Sequence, residues 1–263
     1  MCSAVTSAPP TPAPSSSTGD MSLLEHLGEL RRRIIISTIV LIIGAIVSYS
    51  FSGETFSFLT LPHYDYFPPN SLIGTGPAEA FLIKIKVALF ASFFLTSPIL
   101  FYQLWLFVAP GLLDHEKRLV IPFVVTTSVL FILGAWCAYE TLVPISIQFF
   151  QTQYASIQVT PAITLREHID LMVRILLGCG LIAQTPVIAY FAGRLRLVTA
   201  AFLISKLRHA TVVIFIIAAI ITPTPDMVTQ CAFAVPLIGL YCLSIGIIWM
   251  VQRPEKQEST KDA

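Results

Sequence analysis

Charge is what this 263-residue chain has least of. Only 12% of its residues are charged, about half the share usual in a soluble domain, so a water-soluble globule is excluded. The 16 basic and 15 acidic residues leave a net charge of +1, and no strongly basic face is offered to nucleic acid. Metal-binding patterns are missing too. Cys2, Cys137, Cys179, Cys231 and Cys242 form no CxxC pair, and four of them lie in apolar segments, where they read as small packing residues. There is no HExxH pair, no GxSxG elbow and no glycine loop that cradles phosphate. His26, His63, His115, His168 and His209 are scattered over separate segments. No catalytic centre, metal site or cofactor is expected.

What is present is apolar sequence in blocks. The mean hydropathy is +0.79 with 55% hydrophobic residues, and six runs have the length or composition of membrane spans: 34–51, 87–108, 119–144, 171–192, 210–222 and 231–250. At 1.5 Å per residue the fifth run covers only about 20 Å of a hydrocarbon core near 30 Å, whereas the third covers about 39 Å. Residues 1–20, rich in Pro, Ser and Thr, are expected to be a disordered cytoplasmic tail. The membrane domain then runs over 21–251, and 252–263 form a second cytoplasmic tail. Ser22 to Glu25 reads as a capping box, and Leu23, Leu27 and Leu30 recur at helical spacing ahead of Arg31, Arg32 and Arg33, which predicts a short interfacial helix. Paired arginines before an apolar run also describe a twin-arginine export signal. That reading fails because no small-residue cleavage site follows and more apolar segments do.

Basic residues set the expected topology. With six spans, one side receives Arg31, Arg32, Arg33, Lys117, Arg118, Arg194, Arg196, Lys206, Arg208, Arg253, Lys256 and Lys261. The other receives Lys84, Lys86 and Arg166. The asymmetry places both termini in the cytoplasm and keeps the weak fifth run as a span. Two long external segments, 52–86 and 145–170, carry Pro62, Pro68, Pro69, Pro77, Pro144 and Pro161, and are expected to form an ordered cap.

Polar groups inside apolar spans are costly unless they meet a partner or a wet cavity. Glu140 and Arg174 lie near the predicted outer ends of their runs, where snorkelling suffices. Gln184 lies deeper, ahead of Thr185 and Pro186, and suits either a helix-packing amide or a functional contact. Glu25, Glu29, Asp114 and Glu116 gather on the cytoplasmic side. Carboxylates there can receive a guanidinium through bidentate, charge-assisted bonds, or simply pair with Arg32, Arg33, Lys117 and Arg118.

The stretch Phe101-Tyr102-Gln103-Leu104-Trp105-Leu106-Phe107-Val108-Ala109-Pro110-Gly111-Leu112, followed by His115-Glu116-Lys117-Arg118, resembles the TatC family, the polytopic subunits of twin-arginine protein translocases. His26 to Arg33, Thr222 to Asp226, and Gln230 leading to Pro236 agree in order. The resemblance implies an all-α integral membrane protein: six transmembrane helices in a cupped bundle, with short fifth and sixth helices. It implies a receptor for twin-arginine signal peptides in a bacterial inner membrane, which nucleates a translocon exporting folded cargo on the proton gradient and is not an enzyme. Glu29 and Glu116 would hold the signal. Leu30, Arg31, Arg33, Tyr102, Gln103, Trp105 and Pro110 would shape that site. Gln184, Thr222 or Thr224, and Gln230 would contact single-span TatA/TatB-type partners, and the chain would self-associate in a multimeric complex. Gln184 stands where the family often has a glutamate. A six-span small-molecule or ion transporter is the competing reading; it predicts internal repeats and charged paths that the sequence does not display.

Overall fold

The computed structural model describes residues 23–69, 71–108, 120–194, 198–222 and 226–251. The described residues form nine helices: α1 (Leu23–Tyr49), α2 (Ser52–Tyr64), α3 (Glu79–Val108), α4 (Val120–Ser156), α5 (Leu165–Ile182), α6 (Thr185–Arg194), α7 (Ala200–Ser205), α8 (Leu207–Ile221) and α9 (Met227–Val251). Among those residues the sole β pairing is an isolated bridge between Ile73 and Thr164. Glu79–Phe107, Val120–Ser156, Leu165–Arg194 and Met227–Met250 are long and apolar enough to cross a membrane. The α1–α2 pair makes a fifth such unit, bent by 83°, and Leu207–Ile221 is a shorter apolar helix.

The outer surface is apolar: Ile46, Ile121, Ile188 and Ile220 are all more than 60% exposed. A chain in water would bury such residues; here the exposed apolar surface is what lipid would cover.

Two expectations need correction. The interfacial helix is not separate, because α1 runs unbroken through Arg31 to Arg33 into the apolar run. Arginine is a good helix former and no proline intervenes. The last helix is not short, since α9 has 25 residues. The fourth apolar run lies within one candidate span, Leu165–Arg194, made of α5 and α6 with Ala183 and Gln184 between them; Pro186 has no N–H with which to continue the ladder. Elsewhere helices outrun their apolar runs, so that Lys84 and Lys86 sit in the first turns of α3. Both tails, and the proposed capping box at Ser22, lie outside the described residues.

Small residues let the long helices approach. A Cβ on Gly44 of α1 would lie 2.5 Å from Ser92 Oγ and 2.7 Å from Thr96 Cγ2 of α3, while the Ser92 hydroxyl donates to the Leu41 carbonyl at 2.8 Å. Between α4 and α5, a Cβ on Gly134 would meet Ala183 at 2.4 Å. Such close backbone contact is how helices associate when lipid offers no hydrophobic drive. A buried cluster including Leu59, Val87, Val143, Ile169, Met172 and Ile175 fills the space among α2, α3, α4 and α5.

The expected cap is ordered. α2 turns away from α1, and its Leu59 carbonyl meets His168 Nε2 of α5 at 3.2 Å. His63 Nε2 contacts Ser71 Oγ at 2.9 Å, and its ring stacks on Phe67 and meets His168 edge-on. Burial holds the His63 imidazole below the usual histidine pKa. Ile73 exchanges backbone bonds of 3.0 Å with Ile163 and Leu165, and Lys86 pairs with Asp170. The Glu79 carboxylate accepts from Thr75 and from the Arg166 amide.

The opposite side of the bundle is cut short. Ile221, the last residue of α8, packs on Gly178, thirteen residues into α5. At 1.5 Å per residue, α8 therefore stops about 20 Å along α5 from its tip. Asp226 then caps α9, accepting from the Thr229 amide at 2.8 Å.

Candidate functional site

Glu29 and Arg33 lie one turn apart on α1, so the helix itself aims both side chains the same way. Arg33 Nη2 donates to Glu29 Oε1 at 3.0 Å. The same guanidinium reaches across to α3, where Nη1 donates to Gln103 Oε1 at 3.1 Å. The ion-paired side chains are 21% and 24% exposed, and Arg33 Nε is buried without a partner. A carboxylate, a guanidinium and an amide thus meet where the start of α1 crosses the end of α3. Of the two readings open for Glu29, pairing with Arg33 is the one this state displays.

The other expected site residues distribute around this point. Arg31 and Tyr102 are exposed, and Leu30 is half-buried. Trp105 is not on the same surface: two residues from Gln103, it faces away from α1, 2% exposed, with ring centroids 4.5 Å from Phe123 and 4.9 Å from Phe191. It shapes the α3 end from inside the bundle. Pro110 and Glu116 lie outside the described residues.

The residues expected to meet partner helices do not converge with Glu29. Gln184 is buried between α5 and α6; its Nε2 donates 3.0 Å to the Thr127 carbonyl of α4, and its Oε1 has no partner. Thr222 is buried, its hydroxyl returned to Ala218 O at 3.0 Å. Gln230 donates to Phe215 O at 3.0 Å and thereby ties α9 to α8. Thr224 lies outside the described residues. Arg174 and Glu140 are exposed, so neither lines an interior path.

Sequence reasoning did not single out Phe123, Phe191 or Thr127. Nothing in their spacing marks them, because what selects them is a crossing of α3, α4 and α6. Asp226 as an α9 cap was readable from its place three residues before Thr229. Among the described residues no group of His, Cys, Asp or Glu is placed to hold a metal ion.

Residues 25–236 match the family model for Sec-independent protein translocase protein (TatC). The chain is 38% identical over 247 residues to the Sec-independent protein translocase protein TatC of Koribacter versatilis, covering 92% of this chain and 90% of that one. It is 36% identical over 240 residues to the TatC protein of Helicobacter pylori strain J99, covering 91% and 93%. A crystal structure described as the twin arginine translocase receptor TatC superposes with a TM-score of 0.78 at 33% identity, over 87% of this chain and 100% of that one. With its apolar helices, its helical bundle and these likenesses, the chain is a multi-pass membrane protein and belongs to the Sec-independent protein translocase TatC family.

Proposed function

We propose that the chain is the signal receptor of a twin-arginine translocase, with Glu29 and Glu116 as the carboxylates that take the two signal arginines. The observation that carries the reading is the Glu29 carboxylate itself, which in this structure already holds a guanidinium at 3.0 Å with help from Gln103. Family membership supports the rest. In this reading both termini and the start of α1 face the cytoplasm of a bacterial inner membrane, six segments cross it, and α8 is the fifth of them despite its 15 residues. A helix of that length spans about 22 Å, so the bilayer thins beside it. Leu30, Arg31 and Arg33 support the α1 side of the site; Tyr102, Gln103, Trp105 and Pro110 shape the α3 side.

Single-span TatA/TatB-type subunits then assemble near Gln184, Thr222, Thr224 and Gln230, several copies of the chain associate, and folded cargo crosses on the proton gradient without covalent chemistry by this chain. Gln184 fits partner contact because its buried carbonyl oxygen is unpaired, and an incoming helix that supplies a donor would satisfy it.

The test is site-specific photocrosslinking of a twin-arginine signal peptide to membranes carrying this protein, with probes at Glu29, Glu116 and, as control, Ser71 in the cap. Crosslinks at the first two, lost when the peptide arginines become lysines, are expected. Equal crosslinking by arginine and lysine peptides, or equal binding by the charge-reversed Glu29→Lys and Glu116→Lys proteins, refutes the site.

A further inference from the structure

In this structure the Glu29 carboxylate is not vacant. Its Oε1 is 3.0 Å from Arg33 Nη2, the other terminal nitrogen of the same guanidinium is 3.1 Å from Gln103 Oε1, and Arg33 Nε is buried with no partner. A guanidinium has five N–H donors in a planar fork. Two acceptors on two different helices grip this one from two directions, so the slot between α1 and α3 has the shape and charge of an arginine receptor. Yet the occupant fits it imperfectly. Arg33 enters from the same helix as Glu29, four residues on, and that tether leaves its Nε in a place without an acceptor.

We propose that Glu29 and Gln103 form a guanidinium slot that Arg33 fills in the empty receptor, and that a signal arginine binds by displacing Arg33, which makes Arg33 a specificity-determining competitor. The inference rests on the receptor reading and deepens it. An arginine arriving from a separate chain is free of the tether and can meet the carboxylate fork to fork. Arg33, released, has a short path to solvent, since its neighbours Arg31 and Arg32 are exposed. A signal lysine is a poor displacer. Its ammonium is a compact, strongly hydrated point charge that cannot reproduce the planar fork, so it exchanges a resident guanidinium for a weaker contact. Arg33 thereby sharpens discrimination by penalising every ligand that is not a guanidinium.

Competition by a resident group scales the apparent affinity by the fraction of time the slot is open. For a partly buried ion pair between residues one helical turn apart that amounts to about two- to fivefold.

The experiment measures binding of a fluorescent twin-arginine signal peptide, and of its twin-lysine counterpart, to the full-length protein in lipid nanodiscs. Variants are Arg33→Met, Arg33→Lys, Gln103→Glu, the Arg33→Met/Gln103→Glu double variant and Glu29→Gln, each checked by thermal unfolding. Arg33→Met is expected to bind the arginine peptide about two- to fivefold tighter and to lose part of its preference over lysine. Gln103→Glu adds a second carboxylate around Arg33, so it is expected to bind more weakly. The double variant, with both carboxylates and no resident arginine, is expected to bind more tightly than Gln103→Glu alone. A merely structural Arg33 has no such reversal of sign: all substitutions at the slot would weaken binding together. Unchanged or weaker binding by Arg33→Met overturns the proposal. If that variant does not fold, Arg33→Lys and Gln103→Glu decide it, because a weaker occupant must raise affinity and a better-held one must lower it. Full arginine preference in Glu29→Gln sinks the receptor reading as well; loss of that preference, with Arg33→Met still weaker than the parent, sinks the competitor role alone.

Discussion

Replacing Gln184 by methionine removes a buried amide and keeps an unbranched side chain of similar length. The amide makes one bond, from Nε2 to the Thr127 carbonyl at 3.0 Å, and leaves Oε1 buried and unpaired at a residue that is 6% exposed. Interhelical bonds of this kind are worth about 0.6 kcal/mol on average in a membrane protein, whereas an unsatisfied buried carbonyl costs about 1–3 kcal/mol. Thr127 O remains the acceptor of its own helix's ladder in α4. Gln184→Met is therefore expected to be equal to the parent or up to about 2 kcal/mol more stable in reversible unfolding from mixed micelles. It is expected at the same time to reduce crosslinking to single-span partner subunits. Gln184→Glu goes the other way: an ionised carboxylate cannot donate to Thr127 O and is buried beside a second acceptor, so stability falls. A loss of more than about 2 kcal/mol in Gln184→Met refutes the reasoning, because the amide would then be holding α4 to the α5–α6 break rather than waiting for a partner.

Gly44→Val is expected to destabilise by about 1–3 kcal/mol in the same assay through overpacking, since a Cβ already meets Ser92 and Thr96 below 3 Å, while Gly28→Ala, with nothing within 4 Å, is expected to stabilise by up to about 1 kcal/mol through helix propensity. Trp105→Ala is expected to cost about 3–5 kcal/mol and Trp105→Phe far less, because the indole N–H has no partner and the tilted and edge-on ring contacts with Phe123 and Phe191 survive in a phenyl ring; equal losses would mean that the N–H is bonded. His63 titrates lower in the folded cap than in the unfolded chain, so its contribution is complete above the ordinary histidine pKa of about 6.5 and is lost as pH falls below that value toward the folded one. Unfolding followed between pH 7.5 and 5 is expected to show that loss of stability, with a smaller slope in His63→Gln; an unchanged slope refutes the assignment.

Much of the molecule was legible because lipid imposes a simple rule. A backbone in hydrocarbon must bond to itself, so apolar runs of sufficient length become helices whatever their detailed sequence. The runs at 87–108 and 231–250 lie inside α3 and α9, residues 120–144 of the third run lie inside α4, and the proline-bearing segments 52–86 and 145–170 do fold into a cap. Helix ends were less legible. Polar residues such as Lys84 and Lys86 continue a helix as readily as apolar ones once the ladder is running, so hydropathy marks where the lipid ends and not where the helix does.

The sequence by itself determined the class of this protein, its all-helical span pattern, and, through the aromatic-proline block and the His26 to Arg33 stretch, its family. The tertiary structure decided what each polar residue does with its bonds. Glu29 meets Arg33 by helical spacing, yet Gln103 joins them only because α1 crosses α3 there. Trp105 sits two residues from Gln103 and faces the opposite way, and Gln184 leaves one oxygen unpaired because α4 offers its amide a carbonyl acceptor and no donor. Periodicity specifies a direction around one helix; only the packing of several helices fixes what lies in that direction.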